Sequence, residues 1–125
     1  MDISLLPEDV RPAYRQISDR IAAQILSRSM PGGTPLPSIR TAAKELGVSV
    51  ITVRSAWEAL EADGLITTRA GSGCFVAELS DAELAQRRRS QLEPMLDRLI
   101  RTAKDMGCPP DELARMVKQR YGQGD

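Results

Sequence analysis

Histidine is absent from the chain. That removes the commonest protein metal ligand and the commonest general base together. Cysteine is scarce: Cys74 and Cys108 are the two present. They lack metal-ligand spacing, and two cysteines in a chain of this size do not make a disulfide framework, so both are expected as reduced thiols. Aromatic residues make up 3% of the sequence, as Tyr14, Trp57, Phe75 and Tyr121. The core is therefore expected to be small and built from Ala, Leu, Ile and Val. Apolar runs extend over only a few residues, and no basic segment followed by an apolar one opens the sequence. Membrane insertion and secretion are unsupported, and the expected location is the cytoplasm. Net charge is also missing: 17 Lys and Arg balance 17 Asp and Glu, so any charged surface must be local. With no His, two distant Cys and dispersed carboxylates, hydrolase or metalloenzyme chemistry lacks both a base and a ligand set. The sequence predicts no enzyme, no cofactor and no metal.

What is present fits one ordinary domain, or a small domain with an appendage, in 125 residues and 13.7 kDa. Leu5 to Arg11 carries Pro7, Glu8 and Asp9 and reads as an irregular lead-in to Pro12, a good first helical residue. From Tyr14, the residues Ile17, Ile21, Ile25 and Leu26 recur three or four apart, which predicts an amphipathic helix ending near Arg28. Met30 to Pro37 packs three prolines and two glycines into a turning segment. Ser38 then caps a helix over Ile39 to Leu46, which Gly47 closes. Ser49 caps another over Val50 to Asp63, with Val53, Ala56, Trp57 and Leu60 on one stripe and Gly64 past its end. Leu65 to Arg69 and Cys74 to Ala77, flanking Ala70, Gly71, Ser72 and Gly73, predict a β-hairpin.

Ser80 and Glu83 form a capping box for a long helix running toward Met106. Pro94 leaves two segments meeting near Glu93 as plausible as one bent rod. Gly107, Cys108, Pro109 and Pro110 stop that helix, and a last one follows from Asp111 to Tyr121. The fold class read from this order is mainly α with a small β-hairpin: a winged helix-turn-helix over 1–78 and a helical tail over 79–125.

Function is sought where two helices are joined by about three residues, the spacing of a helix-turn-helix. Ala43 and Gly47 sit four apart, supplying the small residue at the helix crossing and the permissive one in the turn. The second helix of such a unit reads bases in the major groove from its N-terminal turns, here Ser49, Val50, Ile51, Thr52 and Arg54. Ser49 and Thr52 can bond phosphate or base edges, and Arg54 can grip guanine or a phosphate. Arg40 and Thr41 open the preceding helix, where a phosphate could be reached. At the hairpin tip, Gly71 lets the backbone approach a sugar-phosphate chain, and Arg69 stands beside it. Each of these residues also reads as ordinary solvated surface or a plain tight turn when taken alone.

The segments AYRQISDRIAAQI, GGTPLPSIRTAAKELGVSVITVRSAWEALEADGLI and RAGSGCFV together resemble the GntR-type winged-helix DNA-binding domain. The tail resembles the two-helix dimerisation module of the YtrA branch of that family. This resemblance implies a transcription regulator in which Arg40, Ser49, Thr52, Arg54 and Gly71 contact DNA. Val50 stands where many members carry arginine, Cys74 where threonine or tyrosine is usual, and Arg28 where glycine is usual.

The leading expectation is thus a homodimeric regulator, more often a repressor, on double-stranded DNA. The tail helices are too few to bury their own stripes, which leaves Leu92, Leu96, Leu99, Leu113 and Val117 for a second copy. A tail this short can hardly enclose a small-molecule pocket, so an effector would have to sit between subunits. A second reading, supported by the neutral net charge, is a winged-helix module whose same surface binds another polypeptide without specific DNA binding.

Overall fold

The computed structural model describes Ile3, Leu5 and residues 11–123. Most of the lead-in expected over 5–11 lies outside the described residues. The elements run α1 (Ala13–Leu26), α2 (Ile39–Leu46), α3 (Val50–Ala62), β1 (Ile66–Arg69), β2 (Gly73–Val76), α4 (Asp81–Asp105) and α5 (Pro110–Gln123). They divide into two compact units, residues 1–88 and 89–125.

In the first unit, α3 packs against both α1 and α2, and its C-terminal end leads onto β1. The helical stripes supply the core. Ile17, Ile21 and Ile25 of α1, Ala42 and Ala43 of α2, and Val53, Ala56, Trp57 and Leu60 of α3 form one buried cluster, closed by Leu65, Ile66 and Val76. Fully burying a side chain of Val, Ile or Leu type contributes about 1.5–3 kcal/mol, so this cluster is the main source of stability in the unit.

Helix ends follow local chemistry, with two departures from the sequence reading. Pro12 is not the first helical residue but the cap, with ψ 147°, and its carbonyl accepts from Arg15 and Gln16. Its ring sets φ and leaves ψ free, so the helix starts at Ala13. The far end of α1 comes at Leu26, because Arg28 adopts φ 65°. A left-handed residue cannot continue a right-handed helix, and the position suits the glycine usual there. Arg28 instead pairs with Asp81.

The proline-rich segment holds the structure that pattern reading missed. After a turn in which Thr34 bonds back to Pro31, residues 33–36 run antiparallel beside β2. Gly33 N–H donates to Val76 O at 2.8 Å, Val76 N–H to Thr34 O at 2.8 Å, and Leu36 N–H to Cys74 O at 2.9 Å. Pro35 falls at the position that owes β2 no N–H, so its missing donor costs the pairing nothing. The β1–β2 hairpin, with Ile66 opposite Val76 and Arg69 opposite Gly73, is thereby flanked by an extra short extended segment.

At the start of α4, Glu83 N–H donates to Ser80 Oγ at 3.1 Å and Ser80 N–H to Glu83 Oε1 at 3.0 Å. This is the capping box that the sequence predicts. The backbone bond from Ser80, then the side-chain bond, hold the Glu83 carboxyl below its ordinary pKa. Leu84 lines a cleft of about 390 Å³ with Ile25, Met30 and Val76, so the first turn of α4 belongs to the first unit. Pro94 does not divide the helix: α4 is continuous through it. One missing N–H is a local loss that the neighbouring backbone bonds outweigh.

In the second unit, Gly107 takes φ 74° after α4, and Cys108 N–H returns to Ala103 O at 2.9 Å. The chain turns there into α5. Among the described residues of this unit, Ala103 is the one buried hydrophobic residue, and α5 buries none of its described side chains.

Candidate nucleic-acid interface

The residues expected to touch DNA fall into three groups, at the start of α2, at the start of α3 and at the hairpin. Between the two helices, Gly47 adopts φ 69° and its N–H bonds to Ala43 O. An added Cβ at Gly47 would meet nothing within 4 Å. Its requirement is therefore backbone conformation alone. Ala43, buried against the core, allows the close crossing.

Both helices open with the same device. In α2, Thr41 N–H donates to Ser38 Oγ at 3.1 Å and Ser38 Oγ donates to Thr41 Oγ1 at 2.9 Å. The Thr41 hydroxyl hydrogen is then left to point elsewhere. In α3, Thr52 N–H donates to Ser49 Oγ at 3.0 Å, and the two hydroxyls lie 2.9 Å apart. Ser49 and Thr52 thus have a structural job, fixing the first turn of the helix, beside any contact with a ligand. The unsatisfied amides of such a turn and its dipole favour phosphate.

Arg40 and Arg54 are exposed, one in the first turn of α2 and the other in the second turn of α3. The ion pairs Arg11–Asp19, Arg28–Asp81 and Arg89–Glu93 leave both out. Over residues 38–77 the basic side chains Arg40, Lys44, Arg54 and Arg69 match four acidic ones in number. Position separates them, since Glu58, Glu61 and Asp63 are exposed toward the far end of α3.

The hairpin tip turns through Ser72 N–H bonded to Arg69 O at 2.9 Å, with Gly71 at φ 76° and open space around it. Arg69 does not hang free. Its guanidinium carbon lies 4.2 Å from the Phe75 ring centroid, a cation–π contact that Gly73, opposite Arg69, leaves unobstructed. Composition alone assigns Phe75 to the core and to nothing further. A cation and an aromatic one strand apart on the same face was the available signal.

The tail presents a different surface. Leu92, Leu96, Leu99 and Val117 are exposed and Leu113 is half-buried. A groove of about 320 Å³ between α4 and α5 is lined by Leu96, Leu99, Leu113 and Val117 among others. At its end, partial burial and then the hydrogen bond to Glu112 push the Cys108 thiol pKa up.

Residues 13–76 match the family model described as bacterial regulatory proteins, gntR family. The chain is 28% identical over 117 residues to the HTH-type transcriptional repressor YtrA of Bacillus subtilis, covering 94% of this chain and 90% of YtrA. Among solved structures, a GntR family transcriptional regulator from Listeria monocytogenes superposes with a TM-score of 0.76 at 25% identity, covering 90% of this chain and 98% of that one. The structure of AraR(DBD) in complex with operator ORX1 superposes with a TM-score of 0.52 at 28% identity, over 62% of this chain and 93% of that one.

Proposed function

The chain belongs to the gntR family of bacterial regulatory proteins, and from that footing we propose that it is a homodimeric, sequence-specific DNA-binding transcription repressor acting on a palindromic operator. Residues 1–78 form the DNA-binding domain in this reading and 79–125 the dimerisation tail. The observation that carries it is the joint of α2 and α3. Gly47 in the left-handed conformation turns the chain between two capped helices, so that the first turns of α3 carry Ser49, Thr52 and Arg54, and the hairpin that follows α3 carries Arg69. That is the geometry of a helix placed in a major groove. Arg40 and Thr41 at the start of α2, with Arg69 and Gly71 on the wing, take the flanking backbone. The likeness to an operator-bound domain and to a relative named a repressor supports both parts of the reading.

The exposed leucines of the tail supply the second copy's seat. A two-fold dimer sets two copies of α3 about 34 Å apart, hence the palindrome. An effector, where one acts, binds between subunits.

Selection from random duplexes tests this reading, with affinity then measured against salt. The expected result is a palindromic consensus whose affinity falls about 10³- to 10⁵-fold between 50 and 200 mM salt, as for a protein touching roughly six to ten phosphates. A flat salt response, or no duplex binding at low salt, overturns it and favours a polypeptide as the partner. Arg54→Ala sharpens the assignment. It should cost about 1–3 kcal/mol on the selected site and relax preference at one position of each half-site. Equal loss on every sequence would make Arg54 a phosphate clamp.

A further inference from the structure

Val50 and Ile51 are the exposed large hydrophobic residues of the first unit among the described residues, and they stand side by side in the opening turn of α3. Ile51 is 71% exposed and Val50 39%. Singly exposed apolar side chains are ordinary on protein surfaces. These two, however, are flanked by Ser49, Thr52 and Arg54, at the end of the helix that is proposed to face base edges. The next exposed residues along α3 are the charged Arg54 and Glu58.

We propose that Val50 and Ile51 are specificity-determining residues that read thymine methyl groups in the major groove. Neither side chain donates or accepts a hydrogen bond, so neither can recognise guanine O6 and N7 or adenine N6 and N7. The 5-methyl of thymine is the apolar feature that the major groove offers. Both residues are β-branched and stiff at χ1 within a helix, so the methyl contact needs little further ordering. A polar base edge against Ile51 loses its water and gains no partner, so cytosine opposite this residue is disfavoured as well as thymine favoured. The inference rests on the DNA-binding reading and adds to it the base type at the positions Val50 and Ile51 face.

The test uses the full-length protein and the duplex that it selects. Each thymine of one half-site is replaced in turn by uracil, which removes only the methyl group, and affinity is measured for the unaltered protein, Val50→Ala and Ile51→Ala. For the unaltered protein, at least one thymine per half-site should lose about fourfold in affinity on replacement, the worth of one buried methyl-sized group. The same replacement should leave Ile51→Ala or Val50→Ala within experimental error of its thymine duplex. Thermal midpoints of the variants are compared first. Both positions are surface-exposed in the first turn, so a variant that binds the duplex is a folded one. A selected site with no methyl-dependent thymine overturns the inference and leaves the DNA-binding reading intact. Equal methyl dependence in the variants overturns it too, assigning the methyl to another group. Failure to select any duplex overturns the DNA-binding reading and this inference with it.

Discussion

Helices α3 and α5 are similar in length and both carry an apolar stripe, yet they end in opposite states. In α3 the residues Val53, Ala56, Trp57 and Leu60 are all buried, whereas α5 leaves Met116, Val117 and Tyr121 exposed. The difference lies in what surrounds them. Two helices and a hairpin converge on α3 within one unit, while α5 has the C-terminal part of α4 as its neighbour in a two-helix unit. Periodicity announces a face that needs cover; it does not say which chain provides it. Two helices of this length rarely hold a stable arrangement alone in water.

Truncating a core leucine is the strongest way to expose that contrast. Leu60→Ala should cost about 2–5 kcal/mol of unfolding free energy in a chemical-denaturation curve. Leu96→Ala, on a half-exposed stripe, should leave the stability of the isolated chain nearly unchanged and instead raise the dissociation constant of the proposed dimer, measured by sedimentation. Comparable losses of monomer stability from the two would mean that α4 is covered within its own chain.

Removing residues 89–125 has an effect of comparable size, read on DNA affinity rather than on unfolding. A cut after Arg88 keeps Leu79, Leu84 and the Asp81 partner of Arg28 with the first unit. The expected product is a folded monomer whose affinity for a whole operator falls by about 10²–10⁴, the gain that linking two binding modules confers. A dimer that survives the cut would place the subunit contact on the winged-helix unit.

The smallest effect concerns Arg28. Glycine there relieves a left-handed conformation that costs a side chain about 1–2 kcal/mol, and forfeits an exposed ion pair worth about 0–1 kcal/mol. Arg28→Gly should therefore raise the stability of the first unit, by a few tenths to about 1 kcal/mol in the same denaturation assay. A loss of stability would show that the Asp81 pair fastens the start of α4 more firmly than an exposed pair should.

Much of the fold was legible because it rests on local chemistry. Ser38, Ser49 and the pair Ser80 with Glu83 cap as their positions suggest, and Gly47 and Gly64 take positive φ where helices end. The third extended segment was not legible. It depends on pairing between residues far apart in sequence, and prolines hide it from any propensity reading. Pro94 was ambiguous for a related reason, since whether a helix carries through a proline depends on the bonds on either side rather than on the proline. At the candidate interface the polar residues could be picked out by type, but Arg69 resting on Phe75 needed the strand register. Val50 and Ile51 fall off the stripe of Val53, Ala56, Trp57 and Leu60 that the sequence already displays, and the structure adds how far each is exposed.

The bond from Leu36 to Cys74 lies two residues ahead of the Ser38 cap. The stretch from Gly33 to Leu36 therefore holds β2 from its base at Val76 to Cys74 near the tip, and the same run of backbone launches α2. The wing and the first turn of α2 are thus fixed points on a single stiff frame, and on the proposed interface the span between them works like the jaws of a caliper. A duplex whose groove width departs from that span has to deform to touch both, and the energy of that deformation discriminates among sequences that no side chain contacts.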